Sequence, residues 1–115
     1  MHIAKPTKHL TMTGVMGFTP EIREIAKDRL VARFAIGTTQ AALDAGGNPA
    51  TDTQWHTVVA WGDMAARVRD EARRGCILSI TGREVTRSYD AKDGKRYIKE
   101  VILADFTVLS TPKRP

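Results

Sequence analysis

Apolar and polar residues alternate along most of this chain of 115 residues, as they do in strands that bury one face. The first alternating run covers residues 9–13, where Leu10 and Met12 share a face. The next covers residues 29–38, and further runs cover residues 53–61, 76–89 and 96–109. The chain is therefore predicted to be mainly β.

Only one segment has the periodicity of a helix. It follows Gly62, with Asp63 as the predicted N-cap and Gly75 as the predicted stop. Residues 41–52 have the composition of a loop, and Asp93-Gly94 between the two last runs predicts a hairpin over residues 90–95. Residues 21–25 are interpreted as an extension of the first strand.

The order of three strands, one helix and two strands predicts the fold class. We expect an all-β, five-stranded OB-fold barrel, with one short helix between strands three and four and an extended hairpin. An open β-sandwich is the alternative, but it does not need the helix. The domain is predicted over residues 9–110, with a flexible arm over residues 1–8 and a short basic end over residues 111–115.

Composition excludes several classes of protein. No apolar run approaches the ~20 residues of a membrane span, and the first residues do not resemble a secretory signal. The single cysteine, Cys76, cannot form an internal disulfide, so we expect a cytoplasmic setting. A net charge of +5 favours an anionic partner, of which nucleic acid is the commonest.

Catalytic and metal-binding residues are not indicated. His2, His9 and His56 lack ligand spacing with one another and with Cys76. No glycine-rich phosphate loop is present, and no nucleophile stands out. We therefore expect no enzyme activity, no metal and no cofactor.

Both tryptophans lie on one face of one predicted strand. Trp55 and Trp61 share a parity in residues 53–61, about 20 Å apart. Exposed rings at this spacing can stack on unpaired bases, because every base has a π-face. The pattern alone favours packing of both rings in the core, since tryptophan is a highly buried residue type.

A second predicted face is basic and ends in an aromatic ring. Arg83, Val85, Arg87 and Tyr89 share a parity on the strand that leads into the hairpin. A solvated strand edge is the alternative interpretation. The residues predicted to contact phosphates are Arg33, Arg83, Arg87, Lys92, Lys95 and Arg96.

Three motifs resemble those of bacterial single-stranded DNA-binding proteins. Residues 53–62, T-Q-W-H-T-V-V-A-W-G, resemble the family's central T-E-W-H-x-V-x-x-F-G. Residues 14–23, G-V-M-G-F-T-P-E-I-R, resemble its G-x-L-G-x-D-P-E-x-R. The third match lies within residues 75–97 and ends in D-G-K-R-Y. The resemblance covers about residues 9–109.

The resemblance implies a function. The family has an OB barrel that usually forms a homotetramer, and it coats single-stranded DNA during replication, recombination and repair, with little sequence preference. Its stacking aromatics fall here on Trp55, Trp61 and Tyr89, which reverses the preference for core packing. The resemblance also implies a nucleoid-associated protein that needs no cofactor. The family's first strand supplies a subunit contact, which here predicts an oligomer interface at His9, Leu10, Thr11, Met12 and Thr13.

Three departures from the family pattern leave alternatives open. No aromatic residue lies in residues 38–52, Glu24 replaces a frequent aromatic, and the end at Pro115 is basic instead of acidic. A divergent plasmid, phage or integrative-element member fits these departures. So does a primosome-type OB adaptor, a class that is often dimeric, which acts mainly through replication or recombination proteins and binds single strands weakly. An OB domain that binds RNA is a third possibility.

Overall fold

A computed structural model of the protein describes residues 8–112. Residues 1–7 of the predicted arm and residues 113–115 of the predicted basic end lie outside the described residues, and both segments stay predictions. The strands and the helix are β1 Lys8–Met16, β2 Glu21–Ala26, β3 Arg29–Leu43, β4 Pro49–Trp61, α1 Asp63–Glu71, β5 Ile77–Ala91 and β6 Gly94–Ser110.

Strand pairing links five of the strands in a closed ring. β1 pairs antiparallel with β5 and, at Val15 and Met16, with β3. β5 pairs antiparallel with β6, β6 pairs parallel with β4, and β4 pairs antiparallel with β3. β2 lies outside this ring and pairs with β3. The protein is thus mostly β, with one short helix between β4 and β5.

The structure has six strands instead of the predicted five. Residues 21–25 do not extend β1, because residues 17–20 interrupt the strand and Pro20 has no N–H to donate to a ladder. Glu21–Ala26 instead forms its own strand, which turns at Lys27 and Asp28 to pair with β3.

The hairpin between β3 and β4 is longer than predicted. Its ladder continues to the pair Leu43 and Pro49, so the loop covers residues 44–48 and not 41–52. The Asp44 carboxylate closes this loop by accepting hydrogen bonds from the backbone N–H groups of Gly46 and Asn48, both at 2.9 Å. The hydrogen bonds between β3 and β4 join backbone groups, so the loop-like composition of residues 41–52 does not end these two strands.

The ends of the helix also differ from the prediction. Asp63 is the first helical residue, and Gly62 occupies the N-cap without a side-chain hydrogen bond. The helix ends at Glu71, because Ala72 is already extended with φ −111° and ψ 147°. Gly75 therefore lies beyond the end of the helix. The early exit lets the chain bury Ala72 and Cys76.

The core lies inside the ring of strands. Its largest fully buried side chains are Phe34, Met16, Ile36, Leu78, Ile80, Val58, Val68 and Cys76. Helix α1 adds Ala65 and Val68, and Leu10 and Met12 pack against the cluster from β1. Residues of the other parity face outward, and they form the surface described next.

Candidate nucleic-acid interface

The outer face of β3 and β4 carries both tryptophans. The register pairs Trp55 with Gly37 and Trp61 with Val31, while residues of the opposite parity, such as Val58, are buried. The Trp55 side chain is 59% exposed and Trp61 is 51% exposed. Packing of the two rings in the core is therefore wrong, and both are open to a ligand.

The ring of Trp55 rests on two glycines. A Cβ atom added to Gly17 would lie 2.5 Å from a carbon of the Trp55 ring, and one added to Gly37 would lie 2.9 Å from the same carbon. Only residues without a side chain allow the ring to lie this close to the backbone. The two glycines thus determine the position of Trp55.

An open groove of about 370 Å³ crosses the outer face near Trp61. Five strands contribute to it, so it depends on the curvature of the whole sheet. Its lining consists of Glu21, Arg23, Val31, Arg33, Val59, Trp61, Val85, Arg87, Glu100 and Ile102. The groove combines an aromatic ring, an apolar floor and three arginines, a composition suited to an unpaired nucleotide.

Arg87 of this groove is paired with a buried acid. Its Nε donates to Glu100 Oε1 at 2.9 Å, and its Nη2 donates to Glu100 Oε2 at 3.0 Å. The Glu100 side chain is 7% exposed, whereas that of Arg87 is 63% exposed. Arg87 was predicted as a phosphate contact, but the structure offsets its charge.

The other predicted basic residues divide into two groups. Arg33 and Arg83 are exposed on the outer face, and neither forms an ion pair with any residue in 8–112. Lys92, Lys95 and Arg96 lie at the tip of the β5–β6 hairpin. Arg96 pairs there with Asp93, so its charge is partly offset.

Tyr89 lies on the β5–β6 hairpin, apart from the groove. It pairs with Arg96 in the ladder, and its side chain is 49% exposed. A second exposed ring, Tyr97, pairs with Ser88 and so faces the other side of the hairpin. The sequence motif contained Tyr97, but no role was assigned to it.

Sequence reasoning missed three charged residues of the groove. Glu21 and Arg23 stand in the second motif, and only the separate strand β2 brings them to the groove. Glu100 precedes four apolar residues, so alternation does not show which way it faces, and its partner Arg87 lies across the hairpin.

The loop between β3 and β4 carries no aromatic ring, as the sequence indicates. The exposed apolar side chain of Leu43 lies beside it, at the end of β3. The backbone N–H of Asn48, with smaller contributions from Gly46 and Gly47, lowers the pKa of the Asp44 carboxyl. This hydrogen bonding gives the loop a defined conformation.

The predicted oligomer interface divides between the two faces of β1. Leu10 and Met12 pack against the core, while His9, Thr11 and Thr13 are exposed. Leu10 and Met12 are therefore partly covered by their own chain. One edge of β1 pairs with β5, and within residues 8–112 nothing pairs with the other edge before Val15.

In the part of the chain that the structure describes, no group of three or more His, Cys, Asp and Glu residues could hold a metal ion. Over the same residues, α1 is too short to cross a membrane.

Comparisons with known proteins agree with this architecture. Single-stranded DNA-binding protein 1 of Chlorobaculum tepidum is 34% identical over 109 residues, which are 93% of this chain and 67% of that protein. A Plasmodium falciparum SSB solved in complex with ssDNA superposes with a TM-score of 0.76, at 25% identity, and covers 95% of this chain and 100% of its own. A small single-stranded DNA-binding protein from Streptomyces coelicolor superposes with a TM-score of 0.72 at 18% identity. The match covers 90% of this chain and 95% of that protein.

These similarities indicate the OB-fold, in agreement with the closed ring of strands. The model of the single-strand binding protein family matches residues 7–109, which include the tryptophan strand, the groove and the hairpin. A match of this extent, together with the identity to the Chlorobaculum tepidum protein, means that the chain belongs to the single-strand binding protein family.

Proposed function

We propose that this protein binds and coats single-stranded DNA with little sequence preference, in replication, recombination and repair. The exposed outer face, with Trp55 and Trp61 beside a groove that holds arginines, is the observation that carries the proposal. Each ring can stack on any base, and stacking contributes ~1–3 kcal/mol per base.

We assign the phosphate contacts to the exposed arginines. Arg33 and Arg83 form no ion pair within residues 8–112, so each can neutralise a phosphate and release a counterion. The lysines at the hairpin tip, Lys92 and Lys95, add positive charge that can follow the strand. Binding should therefore weaken as salt rises, with a slope of ~0.7 per neutralised phosphate.

A fluorescence titration with dT oligomers tests the proposal. Stacking should quench the tryptophan emission, and Trp55→Ala or Trp61→Ala should weaken binding ~5- to 150-fold, from ~1–3 kcal/mol per ring. Trp55→Phe is the matched control, because it keeps an aromatic face. If both alanine variants bind like the unaltered protein, the two rings are not the stacking site.

The finer parts of the proposal concern assembly and setting. Five strands joined in a ring support an OB barrel, and the unpaired edge of β1 supports assembly into a homotetramer. We propose a nucleoid-associated protein without catalytic activity. Replication or recombination proteins are proposed as further partners.

A second candidate function is that of an OB adaptor for protein partners. The absence of a ring in the loop over residues 44–48, and the exposed Leu43 beside it, favour this alternative. An adaptor would bind dT oligomers weakly, so a mass of four chains with tight dT binding would argue against it. Competition between poly-dT and poly-U for the protein distinguishes these two candidate functions from RNA binding.

A further inference from the structure

Glu100 lies nearly out of solvent in a groove that also contains three arginines and a second, exposed carboxylate, Glu21. Glu100 is 6% exposed, and it lines the groove together with Arg23, Arg33 and Arg87. A negative charge at this place repels phosphates, so Glu100 does not serve to attract the DNA backbone. Its position must have another consequence for binding.

The consequence is a fixed guanidinium group. Two parallel hydrogen bonds, at 2.9 Å and 3.0 Å, join one edge of Arg87 to both oxygens of Glu100. Bidentate pairing of this kind restricts both planes, and burial holds the carboxylate in place. The Arg87 side chain nevertheless stays 63% exposed. A flat group is thus fixed in orientation and open to the groove.

The surroundings of Arg87 suit a base better than a phosphate. Glu100 offsets the charge of Arg87 and occupies two of its donors. Val59, Val85 and Ile102 line the same groove, and an apolar floor favours a flat, weakly hydrated ring. Guanidinium planes stack on unpaired bases in nucleic-acid complexes.

We infer that Glu100 is a positioning residue that holds Arg87 as a stacking surface for one unpaired base, in the groove it shares with Trp61. This inference rests on the proposed single-strand binding. It assigns Arg87 a base contact instead of the phosphate contact predicted from the sequence. Because stacking uses the π-face common to all bases, the contact adds affinity without sequence preference.

Salt titration of dT binding separates a base contact from a phosphate contact. Arg87→Lys keeps the charge and can still pair with Glu100, but lysine has no flat face. We expect Arg87→Lys to weaken binding ~5- to 150-fold at every salt concentration, with the slope against log salt unchanged. Arg83→Gln is the matched control, and it should lower the slope by ~0.7.

Two further variants test the role of Glu100. Glu100→Gln releases Arg87 to neutralise a phosphate, so the salt slope should rise by up to ~0.7. The double variant Arg87→Gln with Glu100→Gln leaves no buried charge, and it should lose affinity as Arg87→Lys does. Thermal melting establishes that each variant is folded at the temperature of the titration.

An abasic oligonucleotide supplies the last comparison. The unaltered protein and Arg87→Lys should bind it equally, because no base is present to stack. The inference is overturned if Arg87→Lys binds dT as tightly as the unaltered protein, if the double variant lowers the salt slope, or if Glu100→Gln leaves the slope unchanged. The proposed function fails separately, and the inference with it, if the unaltered protein does not bind dT.

Discussion

Trp55 shows how a single side chain of this interface depends on residues that do not touch the ligand. The ring lies on the backbone of Gly17, in the segment after β1, and of Gly37 on β3. Contact with both segments holds the ring against the backbone. A ring fixed before binding loses less conformational entropy when a base stacks on it.

Gly17→Ala tests this dependence. The added methyl would come within about 2.5 Å of the ring, so the ring must move. We expect weaker dT binding, by no more than the ~5- to 150-fold assigned to one stacking ring, and a shifted tryptophan emission. The double variant with Trp55→Ala should bind like Trp55→Ala alone, because Gly17 acts through the ring. Additive losses in the double variant would contradict this role.

Arg67 adds a polar link between helix α1 and strand β6. The Arg67 guanidinium lies 4.5 Å from the centre of the Phe106 ring, and its Nη1 donates to Asp105 on β6 at 2.9 Å. Its Nε donates to Glu71 within the helix at 3.1 Å. The hydrogen bond from Arg67 lowers the pKa of the Asp105 carboxyl. Arg67 therefore adds hydrogen bonds and a ring contact with β6 to the apolar packing of the helix against the core.

Arg67→Met should lower the melting temperature, because the link between α1 and β6 is lost. Arg69→Met is the matched control, since Arg69 pairs only with Asp70 among the residues described and ties the helix to no other element. Thermal unfolding followed by circular dichroism measures both variants. Equal melting temperatures would mean that apolar packing alone holds the helix.

The stability of the folded protein should depend on pH through the loop between β3 and β4. Backbone N–H groups of Asn48 and Gly46 hold the pKa of Asp44 below its ordinary value, so the folded state favours the ionised carboxyl. The stabilisation is present above about pH 4, the pKa of an unfolded aspartate, and it is lost as pH falls through the lower folded pKa. Asp44→Asn removes this titration.

The melting temperature of the unaltered protein should exceed that of Asp44→Asn at pH 6, and the difference should shrink towards pH 3. Asp52→Asn serves as the control, because the Asp52 side chain forms no hydrogen bond within the described part of the chain. A difference that is constant from pH 6 to pH 3 would show that the charge on Asp44 has no part in the turn.

The molecule as a whole shows which parts of the fold can be predicted from the sequence. Alternation identified the buried face of β3, and the Asp93-Gly94 pair identified the long hairpin. Strand β2 and the extension of β3 to Leu43 were missed, because their ladders rest on backbone groups and not on an apolar pattern. Residues that share a strand face were therefore easier to predict than strand ends.

The candidate site, like the fold, could be predicted only in part from the sequence. The exposure of Trp55 and Trp61 followed from the family resemblance, whereas parity alone could not tell which face of the strand is covered. The pairing of Arg87 with Glu100 joins residues on two strands of the hairpin, and neither residue type specifies the other. A predicted phosphate contact thus became a candidate base contact only when its partner was located.

The proposed assembly of copies would use the unpaired edge of β1. In an antiparallel pairing of β1 with a second copy of itself, residues near the middle of the open stretch lie close to their own copies, and Thr11 is the exposed side chain there. Met12 cannot test this pairing, because its side chain packs against the core and a charge there would disturb the fold.

Thr11→Lys and Thr11→Glu should each weaken assembly, because like charges that face each other across a strand pair are destabilising by up to ~1 kcal/mol. A mixture of the two variants should assemble more tightly than either alone, since opposite charges then face each other. Sedimentation velocity over a dilution series measures the dissociation, and Thr51→Lys on β4 is the control for the added charge. If both variants sediment like the unaltered protein at every dilution, β1 is not at the interface between copies.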